Sequence, residues 1–265
     1  GLANVFGGDL LFGHMKQGFS IGEMTSSRYT TFINRAAAVQ AFAPRRNTGI
    51  QWFANFTSDK RVHLAVGIFN RTNAEGNVSG NGGTGFNVRI AGLAIENTDK
   101  DMILEIGFNF LWQNLRKNGQ AVGYGARPGT SLGAAAMAAS VSAEDELRWG
   151  FEIAFKMKAF HVQGEFFSVT PSAIGGGSDP TYTGWYIQVG WFITGESRSF
   201  SKKTMAWVRT HPKANFWTGE GGKGAHEIAV RYDMLDLSDV TSDGEYTGLS
   251  FGWNWYWNGN ARMMV

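Results

Sequence analysis

The sequence predicts an all-β protein, a transmembrane antiparallel β-barrel, and two observations support that prediction. Bulky apolar residues alternate with small or polar residues over many separate stretches of roughly ten residues, the length of a strand that crosses a bilayer at a tilt of about 45°. The composition, with 36 glycines and only 5 prolines among 265 residues, favours strands joined by glycine-rich turns over helices. Because strand side chains point alternately to opposite faces, each stretch has one apolar face and one polar face.

The stretch at residues 103–112 illustrates the pattern. Leu104, Ile106 and Phe108 fall on one face of the predicted strand, and Glu105 and Asn109 fall on the other. The first face suits lipid and the second suits a water-filled lumen. The same alternation predicts strands at 5–15, 50–56, 62–68, 86–91, 147–156, 160–166, 185–194, 227–234 and 249–256. In all, about a dozen strands are predicted.

A soluble β-sandwich is the alternative, since its strands also alternate with period two. Its solvent-facing side chains should include many Lys and Glu, whereas the polar faces here carry Gly, Ala, Asn and Gln with scattered charges. Aromatic residues also gather at predicted strand ends, as in the interface girdles of a barrel; these are Trp112, Trp185, Trp255 and Trp257. The mean hydropathy of −0.20 does not argue against a barrel, because lumen residues offset the lipid-facing ones.

The connections between the predicted strands are of two kinds. Short turns are expected at 58–61, 98–101 and 157–159. Long segments rich in Gly, Ser and Asn are expected at 71–84, 116–145 and 197–223. Outer-membrane barrels have tight turns at the periplasmic end and long external loops, so the long segments are predicted to be external.

Residues 25–47 lack sustained alternation and contain an alanine cluster, so they are predicted to form a long loop with a short helix. Long loops of this kind are usually functional or disordered. Within a single barrel domain, residues 1–265, this loop is the candidate constriction of a pore. It carries four arginines and no Asp or Glu; they are Arg28, Arg35, Arg45 and Arg46.

Further basic residues fall on the polar faces of the predicted wall strands; they are Arg89, Arg148, Lys156 and Arg231. Rings of Arg and Lys suit anions, and the planar guanidinium donates two parallel hydrogen bonds to a phosphate. Glutamates share the same faces, so neutralisation across strands is an equal alternative for the wall residues. For Arg28 and Arg35 the pore role is favoured, because the loop contains no acidic partner. Arg45 and Arg46 could equally flank the start of the next strand.

Several segments resemble one family, the phosphate-selective porins of the polyphosphate/phosphate type. The most specific are Thr194-Gly195-Glu196-Ser197-Arg198 and the run from Gly224 to Tyr232. Others are found at 20–32, 41–50, 162–166 and 253–258, so the similarity extends in order from Ser20 to the end of the chain. The resemblance implies a sixteen-stranded trimeric barrel in the outer membrane of a Gram-negative bacterium, with a loop folded into the pore. Since fewer strands are visible, we expect either a partial chain lacking N-terminal and C-terminal strands or a smaller barrel.

The function implied is passive, anion-preferring diffusion of phosphate or polyphosphate through a water-filled pore. The expected partners are phosphate-like anions, outer-membrane lipid and two further copies in a homotrimer. We expect no enzymatic activity, cofactor or metal, and the net charge of +2 gives no reason to expect nucleic acid. The Gly-x-Ser-x-Gly match around Ser250 lies in an alternating strand and not on a strand-to-helix turn. A non-selective porin and a structural barrel or adhesin scaffold without channel activity remain alternatives.

Overall fold

A computed structural model describes residues 1–72, 83–115, 121–129, 137–175, 178–217, 221–239 and 244–265. These residues form two short helices, α1 (Ile21–Met24) and α2 (Ala37–Phe42), and a series of strands. The strands are β1 (Leu2–Val5), β2 (Gly8–Lys16), β3 (Arg46–Phe56), β4 (Val62–Asn70), β5 (Thr84–Asn97), β6 (Met102–Asn114), β7 (Ala121–Ala126), β8 (Met137–Met157), β9 (Phe160–Ala173), β10 (Tyr182–Phe192), β11 (Phe200–Ser201), β12 (Ala206–Trp207), β13 (Ala225–Asp236), β14 (Glu245–Tyr256) and β15 (Arg262–Met264).

Among the described residues, one large antiparallel sheet of 13 strands dominates the fold. Its order is β1-β2-β3-β4-β5-β6-β8-β9-β10-β13-β14-β15, with β7 pairing beside the path to β8. Strands β11 and β12 form a separate pair. Almost every strand lies beside its neighbour in the sequence, which is the meander expected of a barrel wall.

The two faces of the sheet have the burial expected of a membrane protein and opposite to that of a soluble one. On the apolar face Ile106 is 52% exposed and Phe251 is 73% exposed. On the polar face Glu105 and Asn109, in the same strand as Ile106, are fully buried. This reversal excludes the soluble β-sandwich and confirms the lipid-facing and lumen-facing assignment of the 103–112 stretch. No helix within the described ranges has the length and apolarity needed to cross a membrane.

The polar face curves around two stretches of chain that fold inwards. Residues 17–45, the first inward segment, connect β2 to β3 and contact the wall at β3 near one end of the sheet and at β14 near the other. Residues 193–217, the second inward segment, follow β10 and contain β11 and β12. A flat sheet could not bring strands so far apart in its order onto the same short segment, so the wall is strongly curved.

Three details differ from the sequence predictions. The stretch 5–15 is not one strand, because Phe6 and Gly7 adopt positive φ and turn the chain between β1 and β2. Part of 116–145 pairs as the β7–β8 hairpin and is not a loop; residues 116–120 and 130–136 lie outside the described ranges, as do 73–82 of the predicted 71–84 segment. The described parts of the segment 197–223, residues 197–217 and 221–223, do not form an external loop. The segment begins at the end of the sheet that carries the short turns, which we call the tight-turn end. There the Phe192 N–H donates to the Ala159 carbonyl (2.9 Å), and the chain then folds inwards.

Candidate functional site

The first inward segment is seated on the wall through its backbone amides. Four of its N–H groups donate to polar side chains on different strands, with donor–acceptor distances of 2.6–3.0 Å. The pairs are Gly18 with Gln51 (β3), Ser20 with Asn109 (β6), Ile21 with Glu152 (β8) and Gly22 with Glu165 (β9). These wall residues are the polar side chains that the alternation predicts on the lumen face. Their hydrogen bonds go to the segment, so they are not available to a solute.

A close approach at Gly22 makes this seating possible. A Cβ atom there would lie 2.6 Å from Glu165 Oε2 and 3.1 Å from the Tyr186 hydroxyl oxygen. Real Cβ atoms are essentially never found as near to another heavy atom as the first of these distances. Glycine is therefore required at this point for the backbone to reach the wall carboxylate.

The rest of the first inward segment is held by its backbone carbonyls. The Arg148 Nη1 donates to the Phe42 carbonyl (2.7 Å) and the Asn254 Nδ2 donates to the Thr31 carbonyl (2.8 Å). Apolar packing adds to these bonds, since the Phe42 ring contacts Tyr124 and Phe167. Helix α2 is therefore fixed between the wall and the β7–β8 hairpin.

Arg89 is one of the wall residues that anchor the second inward segment. This guanidinium donates to the carbonyl oxygens of Thr204 (2.8 Å) and Met205 (2.6 Å). Its Nε and Nη2 also donate to Glu152 Oε1, at 2.9 and 2.6 Å. Arg89 is fully buried, so it cannot contact a permeating ion.

The other predicted wall cations are also paired. Arg148 bonds Glu146 at 2.6 Å, Arg231 bonds Asp233 at 2.8 Å, and Lys156 bonds Asp101 at 2.8 Å. In each of the first two pairs, the partners are two residues apart in the same strand, so their side chains lie on the same face. Of the two interpretations for the wall residues, these contacts support structural pairing.

The Lys156–Asp101 pair lies at the tight-turn end. Partial burial acts to raise the pKa of Asp101, but hydrogen bonds from Lys156 and Ser197 outweigh it, and the pKa lies below its ordinary value. Because the Lys156 Nζ also donates to the Ser197 Oγ (3.0 Å), this pair fixes the start of the second inward segment.

The four loop arginines do not form one group. Arg35 donates to the carbonyls of Gly22 (2.8 Å) and Thr25 (2.9 Å) and lies 3.3 Å from a carboxylate oxygen of Glu23. Glu23 stands two residues before the 25–47 loop, so the loop does have an acidic neighbour. Arg28 lies apart from the others, exposed, with its guanidinium 5.5 Å from the centre of the Tyr29 ring.

Arg45 and Arg46 line a cavity of about 790 Å³ at the end of the sheet where the long connections lie. We call it the arginine cavity, and its cationic lining residues are Lys16, Arg35, Arg45, Arg46, Arg71 and Arg148. Glu23 is the one carboxylate among the described lining residues.

Sequence reasoning missed Lys16 and Arg71, although both positions carry a signal. Lys16 ends β2 and Arg71 directly follows β4, which places both at the same end of the sheet as the start of β3.

Three of these cations have no carboxylate partner within the part of the chain that the structure describes: Arg45, Arg46 and Arg71. Arg45 donates to the Gln40 carbonyl (3.2 Å), and none of the three forms an ion pair with another described residue. Lys16 and Arg35 instead share Glu23. The cavity thus combines a positive field with free guanidinium donors, an arrangement that attracts and binds anions.

An antiparallel sheet with an apolar exterior, and a polar interior that holds two inward segments beside a charged cavity, is the architecture of an outer-membrane protein of the β-barrel class. A family model described as phosphate-selective porin O and P matches residues 5–265, and the chain belongs to this family. The family is one of channels of the Gram-negative outer membrane and not of enzymes.

Two relatives illustrate the similarity. Porin O of Pseudomonas aeruginosa is 24% identical over an alignment 287 positions long, which covers 96% of this chain and 63% of that protein. An uncharacterized protein of Caulobacter vibrioides is 27% identical over 229 residues, which cover 83% of this chain and 45% of that protein. The chain therefore spans about half the length of these curated relatives.

Proposed function

We propose that the protein gives phosphate-like anions a passive path across the outer membrane, with the arginine cavity as the site that selects them. The observation that carries this proposal is the absence of a carboxylate partner at Arg45, Arg46 and Arg71 among the described residues. An unpaired guanidinium beside water keeps its donors free for a solute. A ring of such groups concentrates anions and repels cations.

The chemistry of these three residues suits phosphate. A guanidinium donates two parallel, charge-assisted hydrogen bonds to two oxygens of one phosphate group. Several exposed groups in a wide cavity give repeated weak contacts, which conduction requires, because a single tight site would hold the ion. The description of the matching family, phosphate-selective porin O and P, agrees with this substrate class.

The first inward segment would act as the constriction beside this cavity. It carries Arg35 and Arg45, and the wall holds it at several points along the curved sheet. We further propose a homotrimer that contacts lipid through the exposed apolar face of the sheet, as family members do.

The test is the reversal potential of the full-length protein in planar bilayers under a KCl gradient, with phosphate block of the chloride current as a second readout. The triple variant R45Q/R46Q/R71Q should lose most of the anion preference and the phosphate block. The control variant R61Q removes a partly exposed arginine from the tight turn after β3, and it should behave as the wild type.

Each other outcome has a defined meaning. Unchanged anion preference in the triple variant would contradict the assignment of the arginine cavity. If the wild-type protein conducts ions but shows no anion preference, it is a non-selective porin. If it does not conduct at all, it is a structural barrel.

A further inference from the structure

A second and much smaller cavity, of about 20 Å³, lies between the first inward segment and strands β9, β10 and β13. Three guanidinium groups line it, those of Arg35, Arg198 and Arg231. No Asp or Glu is among its described lining residues. The cavity adjoins the arginine cavity, with which it shares Arg35, but it lies behind the segment and against the wall.

Arg198 is the least neutralised of the three cations. It is 3% exposed, and within the described residues it forms no ion pair. Its Nη2 donates to the Tyr29 carbonyl (3.2 Å) and its Nη1 lies 3.3 Å from His161 Nδ1. The Arg198 guanidinium also lies over the Trp207 ring, 4.2 Å from its centre. A buried cation without a contacting counter-charge is costly, so a bound anion would stabilise it.

Two hydroxyl groups of the lining are also without partners. Thr25 and Thr31 are each 2% exposed, and their Oγ1 atoms form no hydrogen bond in the described structure. Buried hydroxyls are nearly always satisfied by protein or by a bound species. Both threonines belong to the first inward segment, whereas Arg198 and Arg231 come from the second inward segment and from β13.

Each of the nearest acidic groups has at least one partner. Glu165 Oε2 accepts from the Gly22 N–H and from the Tyr186 hydroxyl, Asp233 pairs with Arg231, and Glu227 bonds His161. Among the described residues, the Glu165 Oε1 atom accepts no hydrogen bond, but Glu165 is not in the cavity lining. The unused groups around the cavity are therefore mostly donors: guanidinium N–H and threonine O–H. A donor-rich, cationic lining selects a negative species over a cation.

The size of the cavity restricts the ligand. A cavity of about 20 Å³ exceeds the roughly 10–15 Å³ that one water requires. It has no room for the four oxygens of a phosphate. We propose that a single halide ion, chloride under physiological conditions, binds here and joins the first inward segment to the wall through Thr25, Thr31, Arg198 and Arg231. This site is structural, and it is independent of which anion the pore conducts.

Crystals of the full-length protein grown in sodium bromide test the site directly. An anomalous bromine peak is expected in contact with the Thr31 hydroxyl and the Arg198 guanidinium. Density there without an anomalous signal, as from a water, would overturn the proposal. So would an empty cavity.

A solution measurement gives a second test. The protein folded in detergent is heated in sodium bromide and in sodium gluconate at equal ionic strength, and the bromide concentration dependence of Tm gives an apparent halide affinity. Thr31→Val should weaken that affinity by about tenfold, the effect of losing one hydrogen bond to an ion. Thr170→Val is the matched control. Thr170 does not line the cavity, and its hydroxyl bonds Thr181 in an exposed position, so the substitution should leave the affinity unchanged. Equal halide responses in wild type and Thr31→Val would refute the assignment.

Discussion

The paired cations of the wall and the unpaired cations of the arginine cavity are the same residue types in opposite roles. Arg89 is fully buried, paired with Glu152, and bonded to the backbone of the second inward segment. Arg46 is exposed at the start of β3 and has no carboxylate partner among the described residues. The first shapes the lumen and the second is free to meet a solute. What separates them is the presence of an acid in contact, and not their position on a lumen-facing strand.

The largest expected effect is that of Arg89→Ala. The substitution leaves Glu152 buried without its counter-charge and releases the carbonyls of Thr204 and Met205. We expect a loss of about 3–5 kcal/mol in the free energy of unfolding, typical of breaking a buried ion pair. Denaturant titration of the protein folded in detergent, followed by circular dichroism, measures this loss. Arg61→Ala breaks only long, partly exposed ion pairs of 3.7 and 3.9 Å and should cost at most ~1 kcal/mol. Similar losses in both variants would contradict the structural role of Arg89.

Gly22→Ala tests whether the wall fixes the first inward segment. The new methyl group would meet the Glu165 carboxylate, which the Tyr186 hydroxyl holds in place, so the segment or this carboxylate must shift, at a cost of about 1–3 kcal/mol. Gly123→Ala is the matched control, because a Cβ atom there has no neighbour within 4 Å. The same unfolding titration compares the two. A neutral Gly22→Ala would mean that the segment is not held against β9.

Arg46→Glu addresses the other side of the comparison. One unit charge about 4 Å from an ion in water is worth about 1 kcal/mol, so the anion-to-cation permeability ratio should fall by roughly fivefold or more. The effect should shrink at high salt because exposed charges are screened. Bilayer reversal potentials measure the ratio, and Lys60→Glu, an exposed charge in a tight turn, serves as the control. An equal drop in both variants would show that only the overall charge matters.

The smallest effect concerns the pH dependence of the Asp101–Lys156 pair. The pKa of Asp101 is lower in the folded protein than in the unfolded chain. The unfolded chain therefore binds the proton first, and the stabilisation is complete above about pH 4 and is lost as the pH falls through the folded pKa. Asp101→Asn should remove this acid-dependent part of the stability, less than ~1 kcal/mol since the carboxylate is half exposed. Identical stability profiles of wild type and variant between pH 5 and about 2 would contradict the pairing.

The fold was more predictable than the site. Alternation located most of the wall strands and the face of each, because burial on one side of a strand leaves a period of two in the sequence. It also set residues 25–47 apart from the wall, whereas in the structure the inward segment is residues 17–45 and β3 begins at Arg46. It did not predict the β7–β8 hairpin, whose composition is that of a loop, or the inward course of residues 193–217. Local patterns carry no information about which end of the sheet a long connection folds into.

Site assignment failed where partners are distant in the sequence. The acid beside Arg89 is Glu152, 63 residues away, and the acid beside Arg35 lies just before the loop boundary that alternation suggests. Arg71 could have been found, since it follows directly after an alternating strand. Whether Arg45, Arg46 and Arg71 have partners depends on the packing of several strands together, and the sequence does not contain that information in readable form.

The sequence alone determined that the protein has one face for lipid and one for a polar interior, because side-chain alternation is a local property of extended backbone. Only the tertiary structure decided which charges fill that interior. Glu152 of β8 comes within hydrogen-bonding distance of an inward segment that starts after β2 and also neutralises Arg89, whereas no carboxylate of the described residues pairs with Arg45 or Arg46. Electrostatic interaction depends on distance in space, and curvature of the sheet sets those distances.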